Sequence, residues 1–221
     1  MLQHLVNGLI QGGIYALIAL GYTMVYGILG MINFAHGEIY MIGAYLGIIS
    51  LAVLTAIGGP IAGLPILCLF IALIISVAFA AGYGFSIERV AYRRLRNAPV
   101  LSALISAIGM STFLQNYIMV AQGKENKAFP AFFKEPLISH PYIVAGAQIS
   151  LLEITIIASC VLIMLGLHLF ISRTRIGRAM RATAQDKKMA ALVGIDINRI
   201  ISLTFIIGSA LAAAGGVMVS M

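Results

Sequence analysis

Tryptophan is absent from the 221 residues, cysteine occurs twice, and only seven residues are acidic. Charged side chains make up 10% of the chain and hydrophobic ones 61%, with a mean hydropathy of +1.04. A soluble domain carries about 25% charged and about 45–50% apolar residues. A chain so poor in charge cannot hide its apolar side chains in one water-bounded core. At about 20 residues per helical crossing of a bilayer, its length accommodates six or seven membrane spans. The two cysteines, Cys68 and Cys160, lie inside apolar runs and form no CxxC pair, so they read as small buried hydrophobes rather than a disulfide or metal site. The N-terminus also lacks the charged n-region of a secretory signal, and the first apolar run is expected to remain as a span.

Basic residues are missing before Arg89, although the net charge is +7. Eleven of the fourteen Lys and Arg fall in two short clusters, Arg89 to Arg96 and Arg173 to Arg199. Basic clusters beside apolar spans are topology signals that stay on the cytoplasmic side. No aromatic-interleaved basic face accompanies them, which argues against nucleic acid. HExxH, a nucleophile elbow and a phosphate-cradling glycine loop are all absent, so neither a resident metal, a cofactor nor catalysis is expected.

What is present is a series of apolar runs at roughly 5–30, 32–57, 62–87, 99–121, 150–172 and 200–221. They predict an all-α polytopic bundle of about six spans forming one transmembrane domain over 1–221. Gly58, Gly59, Pro60 and Pro65 punctuate the second and third runs as a tight turn would require. Placing both arginine clusters inside makes 88–98 the first cytoplasmic loop, 122–149 a periplasmic loop and 173–199 a second cytoplasmic loop. Counting backward puts the N-terminus outside, unless the glycines between Gly21 and Gly47 break that region into a re-entrant piece. Small residues recur at four-residue spacing, as in Ala103, Ala107 and Ser111 or Gly208, Ala212 and Gly216, and let helices approach closely. The last run reaches Met221 with no polar flank, and a longer bundle is expected.

Asn33, His36 and Glu38 stand within an apolar, glycine-rich stretch. An acidic group at the membrane centre costs about 2.5–3.5 kcal/mol. Two readings follow. These groups cap helix ends near an interface, or they line a polar translocation path. His36-x-Glu38 alone is a poor metal motif, because alternate spacing directs the two side chains to different faces of a helix. His4, His168 and Glu153 lie near span ends, where reaching the interface is the simple explanation.

The segment 173–199 reads RTRIGRAMRATAQDKKMAALVGIDINR. Thr183 followed by Asp186 resembles a capping box, Gly194 a helix stop and Asp196 a cap for the next span. The intervening short helix gathers Met189, Leu192 and Val193 on one face. Such a helix is marginal alone and needs a surface, either lipid headgroups or a partner's groove.

The segments GGIYALIALGYTMVYGILGMINFAHGEIYMIGAY, ERVAYRRLR, SALISAIGMSTFLQNY and GRAMRATAQDKKMAALVGID resemble the LivH-type permease subunits of branched-chain amino acid ABC importers. The resemblance runs along nearly the whole chain, and family members continue through further C-terminal spans. It implies a multi-pass inner-membrane permease, not an enzyme, that pairs with a second related permease, two cytoplasmic ATPases and a periplasmic substrate-binding protein. It also implies that Arg178, Arg181, Asp186, Lys187, Met189, Leu192, Val193 and Gly194 belong to an ATPase-coupling segment. That segment keeps an alanine pair and glycine but lacks the leading Glu of the EAA loop of other importers. Two alternatives stand beside this reading. One is a permease of the same superfamily for a monosaccharide or an amide; the other is a proton-coupled secondary transporter using His36 and Glu38 as a relay.

Overall fold

The computed structural model describes residues 1–57, 64–95, 98–123, 142–144 and 147–221. Gly58, Gly59, Pro60, Arg96 and most of the 122–149 loop lie outside the described residues. Six helices among the described residues are long and apolar enough to cross a membrane. They are α1 (Leu2–Leu29), α2 (His36–Ile57), α3 (Pro65–Ile87), α4 (Val100–Gln122), α5 (Leu151–Arg173) and α8 (Ile197–Ser220). Two short helices, α6 (Arg175–Gln185) and α7 (Lys187–Leu192), join α5 to α8. A two-stranded antiparallel hairpin, Tyr142–Val144 with Ala147–Ile149, precedes α5.

The glycine-rich N-terminal region forms two full spans rather than a re-entrant piece. Gly30 ends α1 at φ +74, a backbone conformation that costs a side chain strain, and its N–H donates to the Tyr26 carbonyl. The chain turns over Met31–Ala35 and enters α2.

In α8, 72% of the apolar window is buried, against 17–33% in the other five spans, which makes it the central helix. Helices α1, α2 and α3 surround it, α5 packs on α1, and α4 lies against α2 and the end of α3. Lipid supplies no hydrophobic force between helices, so they associate through close backbone approach. The stripe Gly208, Ala212, Gly216 serves that purpose. A Cβ on Gly21 would stand 2.8 Å from the Gly208 carbonyl, and one on Gly43 would strike the Ala213 backbone. Ser76 on α3 adds a polar link, its hydroxyl donating to the Gly43 carbonyl at 2.6 Å.

The two ends of the bundle differ. Gln148 N–H donates to Gln3 Oε1 across 2.9 Å, so the start of α1 and the hairpin share one end. Ser150 and Glu153 form a full capping box there at the start of α5. The opposite end holds the α1–α2 turn, the arginine-rich end of α3, and α6–α7. Cys68 and Cys160 are both buried and unbonded to each other.

Replacing Gly43 by Leu forces a side chain into the Ala213 backbone. It should lower the apparent melting temperature of the detergent-solubilised protein by about 5 °C or more. Gly166→Leu, where a Cβ meets nothing, should leave the melting temperature unchanged.

Candidate functional site

The basic end carries a set of buried polar contacts on which the loop helices rest. Asn33 is buried in the α1–α2 turn, and the Tyr92 hydroxyl donates to its Oδ1 at 2.8 Å. Its carbonyl accepts from the His36 N–H, starting α2. His36 is buried as well; its Nε2 donates to the Ile18 carbonyl of α1 at 3.2 Å, and Tyr22 meets the ring edge-on at 5.7 Å. With Nε2 carrying the proton, Nδ1 is a buried acceptor with no partner among the described residues. Glu38, in the first turn of α2, is half-buried where the helix N-terminus favours negative charge. Ser111 of α4 donates to its Oε1 at 2.9 Å. The three residues are thus divided among three neighbours: Asn33 faces the end of α3, His36 faces α1 and Glu38 faces α4.

The sequence reading begins the first cytoplasmic loop at Glu88, and helical structure continues into that segment. Glu88–Tyr92 forms a π turn and Arg93–Leu95 a 3₁₀ turn. Glu88 is fully buried, and Ser202 of α8 donates to its Oε2 at 2.7 Å. Neither Glu88, Tyr92 nor Ser202 was a candidate from sequence. The signal was nonetheless there: Cys68, Ala72, Ser76, Ala80 and Gly84 form a buried four-residue stripe on α3, and the next step lands on Glu88.

Thr183 does not start the short helix. It lies inside α6, its hydroxyl donating to the Ala179 carbonyl, and with Gly177 and Met180 it forms the buried face of that helix. The α6 cap is Thr174, whose Oγ1 accepts from Gly177 N–H. Asp186 instead caps α7, accepting from the N–H groups of Lys188 and Met189 at 2.8 and 3.1 Å. The sequence pair failed because Thr183 already had a helical carbonyl in reach, whereas Asp186 sits in extended backbone.

Gly194, at φ +86, closes α7 with Gly194 N–H donating to the Ala191 carbonyl and Ile195 N–H to that of Ala190. Asp196 caps α8 through Arg199 N–H. Lys187 Nζ donates to the Leu29 carbonyl at the end of α1, 2.9 Å away. Arg181 bonds the Ile171 carbonyl, and Arg178 is exposed. The α7 turn is therefore pinned at both ends while Met189, Leu192 and Val193 stand 57%, 79% and 73% exposed. This exposed apolar turn leads into the central helix across four residues.

Residues 4–221 match the family described as the permease component of the branched-chain amino acid transport system. This chain belongs to that family. It is 52% identical over 220 residues to the high-affinity branched-chain amino acid transport system permease protein BraD of Pseudomonas aeruginosa, an alignment covering 100% of this chain and 71% of the relative. The LivH permease proteins of Salmonella typhimurium and Escherichia coli K12 are 50% and 48% identical over 217 residues, covering 98% of this chain and 70% of each. No solved structure matches. The family member is thus a multi-pass inner-membrane permease subunit of a transport system, working with other components, and not itself an enzyme.

Tyr92→Phe strands the buried Asn33 side chain without its donor. The expected loss is about 1–3 kcal/mol, read as a lower melting temperature in detergent with the helical content of the folded protein unchanged.

Proposed function

We propose that this chain is the membrane-spanning permease subunit of an ABC importer that carries leucine, isoleucine and valine across the bacterial inner membrane. Two cytoplasmic ATPases energise it, a second related permease completes the pathway, and a periplasmic binding protein delivers the substrate. The observation that carries the reading is the pinned apolar knob of α7 on a chain so similar to branched-chain amino acid permeases. The relatives favour amino acids over a monosaccharide or an amide. They likewise favour an ATP-driven subunit over a proton relay, and His36 and Glu38 bond different helices.

In this reading 88–98 and 173–199 face the cytoplasm and 122–149 the periplasm. Met189, Leu192 and Val193 insert into an apolar groove of an ATPase, with Arg178, Arg181 and Lys188 at its rim. Asp186 and Gly194 hold α7 at its two ends. ATP-driven closure of the ATPase pair moves α7. The Lys187 bond conveys that motion to α1, and the short turn through Gly194 conveys it to α8. Since α8 is packed by three spans, a small tilt at its basic end repacks the bundle between inward- and outward-open arrangements. Glu38 with Ser111 contributes polarity toward the path, while Asn33 and His36 keep α2 seated against its neighbours.

Met189→Asp combined with Leu192→Asp places two carboxylates where apolar contact is needed. The ATPases should no longer copurify with the permease, while membrane insertion stays normal. Undiminished copurification contradicts the coupling role.

A further inference from the structure

Near the basic end, α3 and α8 cross with no room for a side chain between them. A Cβ on Gly84 would strike the Ser209 side chain and stand 2.9 Å from the Phe205 carbonyl. One turn further along α3 is Glu88, at 0% exposure. The stripe that leads to it, through Ala80 and Gly84, is made of small residues, and another small residue would fill the place without penalty. An acid is disfavoured there twice. The helix C-terminus presents its carbonyl end, and burial strips the carboxylate of water. What the carboxylate adds is a link to the central helix, since the Ser202 hydroxyl of α8 donates to Oε2 at 2.7 Å.

The backbone around Glu88 is irregular as well. Its N–H donates to the carbonyls of both Gly84 and Phe85, and Arg93 N–H donates to the Glu88 carbonyl, so bonds reaching back three, four and five residues follow one another. Single π turns inside helices occur frequently at functional sites. Such a mixed register shifts by exchanging one carbonyl for the next, which makes the end of α3 compliant along its axis. Two side chains hold it. Glu88 fixes the start of the π turn to Ser202. Tyr92 fixes its end, donating to Asn33 of the α1–α2 turn and lying against Phe205 of α8 with ring centroids 5.2 Å apart. Ile87, Ala91 and Tyr92 share one buried cluster with Ile200, Ile201 and Phe205, in the first turns of α8 after α7.

We propose that Glu88 is a positioning residue for transport, whose bond to Ser202 makes the π turn move with α8 and, through Tyr92, carries that movement to the α1–α2 turn. The Lys187 bond reaches Leu29 at the near side of the same turn. The turn is thus gripped from α7 and from α3, and α1, α2 and α3 follow α8 together. Without the Ser202 donor, the mixed-register turn absorbs the movement by shifting its own bonds, and α8 tilts without repacking the spans around it. This inference rests on the importer reading above.

The test uses the complete importer, with both permeases, the ATPases and the binding protein, in proteoliposomes, and reads leucine carried per ATP hydrolysed. Ser202→Ala removes the donor and leaves the backbone alone. The ratio should fall about fivefold, the weight of one hydrogen bond in the coupling, while the ATPases still copurify. Ser202→Thr keeps a hydroxyl and should restore the ratio. Ser202→Cys, close in size with a weaker donor, reads the same quantity should Ser202→Ala not assemble, and its ratio should fall as well. A merely structural bond would lower the amount of assembled importer and its melting temperature, with the ratio unchanged in what assembles. That result overturns the proposal, as does a Ser202→Thr importer no better coupled than Ser202→Ala. An unmodified importer that hydrolyses ATP and carries no branched-chain amino acid overturns the underlying reading instead.

Discussion

Hydrocarbon neither drives helices together nor accepts their polar groups, and the architecture around α8 answers both constraints. Contact is gained by removing side chains where helices cross. Gly21 meets Gly208, Gly43 meets Ala213, and Gly216 lies against the Tyr40 carbonyl. At such distances backbone dispersion contacts accumulate over the length of the helix. Several of the polar groups in the interior are joined across helices: Ser76 to the Gly43 carbonyl, Tyr92 to Asn33 and Ser202 to Glu88. An interior built from a few close crossings and paired polar groups has a small number of well-defined packings. That property suits a switch between two arrangements better than a loose aliphatic core would.

The order and length of the spans were legible because the apolar runs are long and their interruptions carry charge or glycine. The stop at Gly194 and the cap at Asp196 were legible for local reasons: a positive φ and a short acceptor ahead of a helix. Glu88 was misplaced because its charge outweighed its periodicity. The four-residue stripe that ends on it says that it faces α8, whereas composition alone says that it faces water. Thr183 was misread for a related reason, since a capping pair says nothing about whether the preceding residues are already helical. The buried partners of Asn33 and His36 could not be read from the chain. Tyr92 is 59 residues away and Ile18 is 18 away, and only the packing of α1 and α3 against α2 brings them together.

The two ends of the bundle are suited to different tasks. At the basic end, capped turns hold an exposed apolar turn, and the Lys187 bond ties it to the end of α1. At the other end, Gln3 ties the start of α1 to the hairpin, and Ser150 with Glu153 caps α5. Helix α8 connects them, running from the α7 turn at Ile197 to Ser220 at the opposite end. The proposed mechanism uses that connection, with force applied at one end and access altered at the other.

Everything in this mechanism depends on which end meets the cytosol. A cysteine at Lys188, on the exposed α7 turn, reports it directly because both native cysteines are buried. In intact cells an impermeant maleimide should leave that cysteine unmodified, and labelling should appear only once the inner membrane is permeabilised. Labelling of intact cells would place α7 on the outer face and contradict the ATPase docking.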